Sequence, residues 1–388
     1  MTAEAATARP DTLRASDRSL CEVYDVALLD LDGVVYLGAR AVPGAAEALA
    51  EARHRGMRLA FVTNNASRSP STIAAQLAGL GVPATPDEVV TSAHAAARLI
   101  ADRLPAGSPV LVVGGMGLRM ALRERGLRPV STAAERPAAV VQGYGPGIDY
   151  GLLAEGALAV QAGAWFVASN SDVTLPTARG LQPGNGSLVQ VIAVSTGRQP
   201  AVAGKPEPPL HAEAVARSGA RRPLVVGDRL DTDIEGAVRA GADSLLVLTG
   251  VTGPAEAVLA SPQQRPTYLA HDLAGLIDPH PEVRSGGNTF SCGGWTAQLT
   301  PAAGGGVAGG GVAGGALPGA SGTGSTDGNA GADGQAGPAA GPPLRLQLDG
   351  EGPAIDGLRA LCAAAWSTPG PLAPDSVHAA VARLHFPP

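Results

Sequence analysis

The chain has 388 residues, a length that predicts two domains with additions rather than one. Its formal net charge of −6 is mild and spread out, which gives no electrostatic footprint for nucleic acid or an anionic membrane. At 45% hydrophobic but only 3% aromatic, a core must be built from Ala, Val and Leu, while 53 Gly and 33 Pro point to many turns and a low-complexity segment. Cys21, Cys292 and Cys362 are far apart, so neither a disulfide framework nor a zinc site is expected. No apolar window approaches the roughly 18 residues of a membrane span. The expected setting is the cytoplasm.

In chain order, residues 1–20 mix Glu, Asp and Arg without an apolar core and read as a disordered tail, not a leader. Val26, Ala27, Leu28 and Leu29 then run straight into Asp30-Leu31-Asp32-Gly33. Such an unbroken apolar run predicts a strand buried on both faces in a parallel sheet. A helix is expected from Pro43-Gly44 to a stop at Gly56, and a strand over 57–62 ending in Thr63-Asn64-Asn65. Ser69-Pro70 opens a further helix that runs to Gly79. The alternation predicts a doubly wound parallel α/β sheet.

Residues 81–199 continue the pattern, with strands expected at 110–113, 138–141 and 165–168 and helices at 118–125 and 150–162. They read as a second α/β unit inserted into a core made of 21–80 and 200–280. Gly114-Gly115-Met116-Gly117 lacks the full dinucleotide or P-loop fingerprint and reads as a tight strand-to-helix turn. In the core's second part, Lys205-Pro206 ends a strand and opens a helix. A buried strand over 223–226 runs into Gly227-Asp228, a helix follows at 234–240, and strands are expected at 244–249 and 268–270. Residues 281–301 form an extension, and 302–343 are Gly/Ala-rich and read as a flexible linker. Residues 344–388 hold a strand at 344–348 and a helix at 355–366, which with 289–299 predict a small appendage.

Parallel strands present their C-terminal ends at one sheet edge, where ligands bind in open α/β folds. Four predicted strand ends carry chemistry: Asp30 with Asp32, Thr63 with Asn64, Lys205, and Asp228 with Asp233. Asp30 and Asp32 would repel unless a cation or proton sits between them, and a hard divalent cation with oxygen ligands is the natural answer. A nucleophile, an acid, hydroxyl and amide donors, a cation and metal-binding carboxylates together make the inventory of phosphoryl transfer. Asp231 reads as a helix cap, and His211 and His94 as packing or surface residues.

The stretches DLDGVVYLG, FVTNNASRSP, VAGKPEPP and VVGDRLDTDIEGA resemble, in order, the four motifs of the haloacid dehalogenase (HAD) superfamily. The closer resemblance is to its NagD-type and p-nitrophenyl-phosphatase-type branch, to which Ala168–Asp172 and Gly180–Gly186 in the inserted unit are also similar. The resemblance covers residues 21–280 and implies a HAD-like core with an inserted α/β cap. It implies a Mg²⁺-dependent phosphatase acting on a small phosphorylated metabolite (a sugar phosphate, a phosphoglycolate-like acid or a nucleotide monophosphate) through an aspartyl-phosphate. In that reading Asp30 is the nucleophile and Asp32 the acid and base. Thr63, Asn64, Asn65 and Lys205 bind phosphate, and Lys205 also neutralises charge in catalysis. Mg²⁺ is held by Asp30, the backbone carbonyl of Asp32, and Asp228, while Asp233 orients Lys205 or metal-bound water from behind.

The cap is implied to set substrate choice. Leu175 stands where pyridoxal-phosphate-type relatives carry a polar contact, which argues against that substrate. Some relatives imply a homodimer through the cap. The rivals are a phosphomutase, disfavoured by the strand-rich insertion, and a catalytically silent or regulatory binding protein, disfavoured because no catalytic residue is missing.

Overall fold

The computed structural model describes residues 13–301, apart from 178, and 343–386. The Gly/Ala-rich segment expected to be a linker lies outside these residues but for its last position. A short helix α1 (Leu20–Val23) leads into β1 (Val26–Leu29), and all four β1 residues are buried. A two-residue hairpin, β2 (Tyr36–Leu37) and β3 (Arg40–Ala41), precedes α2 (Ala45–His54) and β4 (Arg58–Thr63). In α3 (Pro70–Gly79) the Ser69 side chain accepts the Thr72 N–H and Pro70 occupies the first turn, as that pair of residues predicts. β5 (Val89–Thr91) and α4 (Ser92–Ala101) follow.

The inserted unit contains β6 (Pro109–Val113), α5 (Met116–Glu124), β7 (Arg128–Val130), β8 (Ala139–Gln142) and α6 (Tyr150–Gln161). It continues through β9 (Trp165–Ala168), the hairpin β10 (Thr174–Thr177) and β11 (Gly180–Pro183), and α7 (Asn185–Thr196) to β12 (Ala201–Val202). The chain returns through α8 (Pro208–Ser218), β13 (Pro223–Gly227), α9 (Glu235–Arg239), β14 (Asp243–Val247), α10 (Pro254–Val258) and β15 (Tyr268–Ala270).

The core sheet has the order β15-β14-β13-β1-β4-β5 with every pair parallel, and the cap sheet the order β12-β9-β8-β6-β7, also all parallel. The expected boundaries shift accordingly. Residues 89–101 were expected in the cap, yet β5 pairs with β4 at the edge of the core sheet. Conversely β12, expected to open the core's second part, pairs with β9 of the cap. Sheet membership is decided by backbone pairing across the fold, and a two- or three-residue strand carries too little pattern to announce its partner.

After β15 the chain builds an antiparallel sheet, β16 (Arg284–Gly286), β17 (Thr289–Cys292), β18 (Trp295–Pro301) and β19 (Leu344–Gly350), backed by α11 (Ala354–Trp366) and α12 (Pro374–Val381). The single strand expected over 289–299 is a hairpin turned at Gly293-Gly294. Its buried residues form one cluster with Ile234, Leu246, Ala257, Val258 and Leu269 of the core, so this module shares a hydrophobic interior with the first sheet. The N-terminal segment also departs from expectation. Leu13 is buried, Arg14 N–H donates to Thr267 O at 2.9 Å, and Ser16 exchanges two backbone hydrogen bonds of 2.8 Å with His280. Pairing with the strand-like chain past β15 orders residues that have no apolar run of their own. No helix among the described residues is long and apolar enough to cross a membrane.

Candidate active site

The ends of β1, β4 and β13 meet the turn before α8 and the cap hairpin around a cleft of about 460 Å³. Asp30 extends β1 by one residue, its N–H donating to Val226 O of β13 at 2.8 Å. Asp228 follows β13, and Asp233 lies one helical turn further on. Lys205, 3% exposed, reaches between them: its Nζ donates to Asp30 Oδ1 and, at 2.6 Å, to Asp233 Oδ1. Asp233 Oδ2 accepts the Arg229 N–H at 3.2 Å, so both its oxygens are engaged, one of them on the lysine.

Three carboxylates, Asp30, Asp228 and Asp233, place an oxygen each within 4.8 Å of one another. Lys205 is the cation among them, which leaves a formal charge of −2. Burial, together with Asp233 and Asp228, pushes the Asp30 carboxyl up to about 8 against the opposing pull of Lys205. Burial and Asp233 push Asp228 up to about 6. Burial works against the charge of Lys205, but Asp233 and Asp30 outweigh it and hold the ammonium above its ordinary range.

The free lone pairs of Asp228 point the same way. Its Oδ2 accepts the Val251 N–H at 2.7 Å, but Oδ1 is buried with no hydrogen-bond partner. An orphaned carboxylate oxygen beside surplus negative charge is the environment of a divalent cation bound through oxygen. Backbone crowds in to shape that spot. Gly33 adopts φ +87°, and a Cβ there would stand 2.4 Å from Asp228 Oδ2. At Gly250 the corresponding distance is 2.0 Å. The donor set therefore fits Mg²⁺.

Asp32 lies at the mouth of the same cleft with its side chain exposed, apart from the three clustered carboxylates. Thr63 also lines the cleft, and its Oγ1 accepts the Asn65 N–H at 3.1 Å. Asn64 and Asn65 line the cleft as well, and their side-chain amides are engaged within the protein. Asn64 Oδ1 accepts the Lys205 N–H at 2.8 Å, while Nδ2 donates to Lys205 O at 3.1 Å and to Asp172 at 3.3 Å. Asn65 Oδ1 accepts from Ser67 N and Oγ at 2.9 and 2.8 Å, closing the turn. Asn64 thus fixes the lysine backbone and ties it to the cap.

The cap delivers further lining. Asn170 Nδ2 donates to Asn64 O at 2.7 Å, and Asn185 Nδ2 to Asn170 O at 2.7 Å, a chain that seats the Asp172 loop over the core. Burial raises the Asp172 carboxyl, opposed by the Asn64 hydrogen bond. Leu175 lines the cleft too. Arg68, Tyr144 and Arg229 also face it and were not singled out from the sequence. Arg68 sits inside the second motif stretch, where a cation near phosphate ligands was the available signal. His94 is buried against Glu124 and His211 lies behind the site, so neither enters the cleft.

Sequence profiles for known families divide along the same lines. One for haloacid dehalogenase-like hydrolases matches residues 27–128, and a HAD-hydrolase-like profile matches 202–276. A GCN5-related N-acetyltransferase like domain profile matches 330–385. A D-glycerol 3-phosphate phosphatase of Mycobacterium tuberculosis is 52% identical over 67% of this chain and 72% of its own. A 5′-nucleotidase of Bacillus subtilis is 39% identical over 66% of this chain and 98% of its own.

The crystal structure of glycerol phosphate phosphatase from M. tuberculosis in complex with magnesium superposes with a TM-score of 0.74 at 38% identity, covering 95% of this chain and 99% of that one. A p-nitrophenyl phosphatase from Archaeoglobus fulgidus gives a TM-score of 0.60 at 29% identity, over 65% of this chain and 98% of that one. With the four motifs gathered at one sheet edge around a Mg²⁺-shaped cluster of acids, the chain belongs to the NagD- and p-nitrophenyl-phosphatase-like branch of the haloacid dehalogenase superfamily and is a Mg²⁺-dependent phosphoric monoester hydrolase of small metabolites.

Proposed function

We propose that the enzyme hydrolyses the phosphate monoester of a small polyol, with glycerol phosphate as the leading substrate, through an aspartyl-phosphate on Asp30. The observation that carries the substrate class is the Asp172 carboxylate. It is held by Asn64 at the cap side of the cleft that Asp30 and Lys205 also line, a position from which a carboxylate would accept the hydroxyl hydrogens of a polyol leaving group. The likeness to D-glycerol 3-phosphate phosphatase supports the same choice.

Asp30 attacks phosphorus and the bond to the leaving oxygen breaks, with Asp32 giving that oxygen its proton. Asp32 then takes a proton from water, which attacks phosphorus, releases inorganic phosphate and restores Asp30. Asp30, the Asp32 carbonyl and Asp228 would hold Mg²⁺, which would supply the charge neutralisation that lets an anionic nucleophile meet an anionic ester. Lys205 neutralises the phosphoryl oxygens and is aimed by Asp233 and Asn64, while the Thr63 hydroxyl donates to phosphate. The cap loop at 170–175 excludes water from the first half-reaction.

The three cysteines, free and buried, support a reducing compartment such as the cytoplasm. Leu158 of α6 and Val194 of α7, exposed on the cap, support pairing of two copies through that face. The test of the substrate is kcat/KM with Mg²⁺ for glycerol 3-phosphate, a hexose phosphate and a nucleoside 5′-monophosphate, in wild type and Asp172→Ala. The expected result is a preference for glycerol 3-phosphate that collapses in the variant. A wild-type preference for the nucleotide or the sugar overturns the assignment.

A further inference from the structure

A second cavity, about 600 Å³, opens at the opposite edge of the core sheet, where β13 and β14 begin. It lies roughly 15 Å along the strands from Asp30 and Asp228, by the rise of a strand. Tyr24, His211, Arg221 and Arg222 line it together with the apolar Val215 and Pro223. Its acids are already engaged. Asp243 is taken by Arg14 at 2.6 Å and the Tyr24 hydroxyl at 2.7 Å. Asp25, at the same edge, accepts the backbone N–H groups of Arg221 and Arg222 at 2.9 and 2.8 Å and pairs with Arg58.

Arg239 in the wall is bound to Glu207 and Glu235, each at 2.5 Å. The guanidinium groups of Arg221 and Arg222 have no ion-pair partner among the described residues, and that of Arg222 lies 5.8 Å from the Tyr24 ring centre. His211 is 2% exposed and its Nδ1 has no hydrogen-bond partner. Burial and the nearby Lys205 push its imidazole down to about 3, so the ring is neutral.

We propose that this cavity is a binding site for a small organic anion with an apolar or aromatic body, whose charge meets Arg221 and Arg222 and whose body packs on Val215 and Pro223 beside His211. The site is connected to the reaction centre. Pro208 of the wall opens α8, three residues after Lys205, and the His211 ring packs on Gly236, three residues after Asp233. A Cβ on Gly236 would come within 2.7 Å of His211 Cε1. The cavity wall therefore lies against the backbone that carries both members of the Lys205–Asp233 pair.

The test is a fluorescence titration of the full-length, Mg²⁺-loaded enzyme with 8-anilinonaphthalene-1-sulfonate, an aromatic sulfonate. One saturable site per chain is expected. Arg221→Glu with Arg222→Glu is expected to raise Kd by about tenfold or more, as loss and reversal of two charges require. Ala212→Trp, which fills the cavity from an exposed position in its wall, is expected to abolish the signal while hydrolysis persists. No saturable binding in wild type, or an unchanged Kd in both variants, overturns the site.

Discussion

Two clusters of buried charge in this protein are balanced in opposite ways. In the C-terminal module, Arg359 donates to Asp356 Oδ1 at 2.6 Å, to Leu269 O of β15 at 2.7 Å, and to His280 Nδ1 at 3.3 Å. His280 Nε2 in turn meets Gly275 O at 2.8 Å, and burial holds this imidazole down to about 4, hence neutral. One cation faces one carboxylate, and its other two hydrogen bonds go to neutral acceptors. At the front of the core sheet three carboxylates face one lysine, with Asp228 Oδ1 left unpartnered. The first arrangement is complete and staples the module to β15. The second is complete only with a cation and an anionic substrate in place, which is what separates a binding site from a structural bridge.

Substitutions test that contrast, and the largest effect belongs to the incomplete cluster. Lys205→Ala is expected to lower kcat/KM by on the order of 10²–10³-fold, the usual cost of removing an electrostatic stabiliser of the transition state. Steady-state hydrolysis of p-nitrophenyl phosphate measures it. Arg359→Met strands Asp356 in the interior and is expected to cost about 3–5 kcal/mol of stability in denaturant unfolding, with kcat nearly unchanged. Adding Asp356→Leu to Arg359→Met is expected to restore most of that loss. A drop in kcat as large as that of Lys205→Ala would erase the distinction between the clusters.

The pH dependence of the metal-free protein is the next effect. Folding raises Asp30 from 3.8 to about 8, so in that window the folded chain holds a proton that the unfolded chain has released. Stability without metal therefore falls as pH rises from about 4 to 8, since the native state binds more protons there. Mg²⁺ is expected to flatten this slope and raise the melting temperature most at the alkaline end. Asp228→Asn is expected to flatten it in EDTA and to shrink the shift caused by Mg²⁺. The smallest effect is at the surface of the C-terminal module. The exposed Arg383–Asp349 pair at 2.9 Å is expected to contribute under about 1 kcal/mol on Arg383→Ala.

The gathering of the candidate site was legible in the sequence because each of its parts follows an apolar strand and carries a residue type that phosphoryl transfer calls for. Asp30, Asp32, Thr63, Lys205 and Asp228 all reach one cleft. The amide of Asn64 was legible as functional but not as a brace. Its partners, Lys205 and Asp172, lie 141 and 108 residues away and meet it only in the folded chain. The α/β alternation was legible from apolar runs, whereas the placement of β5 and β12 depended on pairing that short strands do not advertise. The C-terminal strand and helix were legible from their periodicity. Their shared core with Ile234, Leu246 and Leu269 was not, since residues covered by a module and residues covered by a helix look alike in sequence.

The most direct test of the central claim is hydrolysis of p-nitrophenyl phosphate by wild type and Asp30→Asn, each with Mg²⁺ and with EDTA. Turnover is expected only in wild type with Mg²⁺, with a loss of at least about 10³-fold in Asp30→Asn while the protein stays folded. Activity that survives in Asp30→Asn, or wild-type turnover indifferent to EDTA, would contradict that claim.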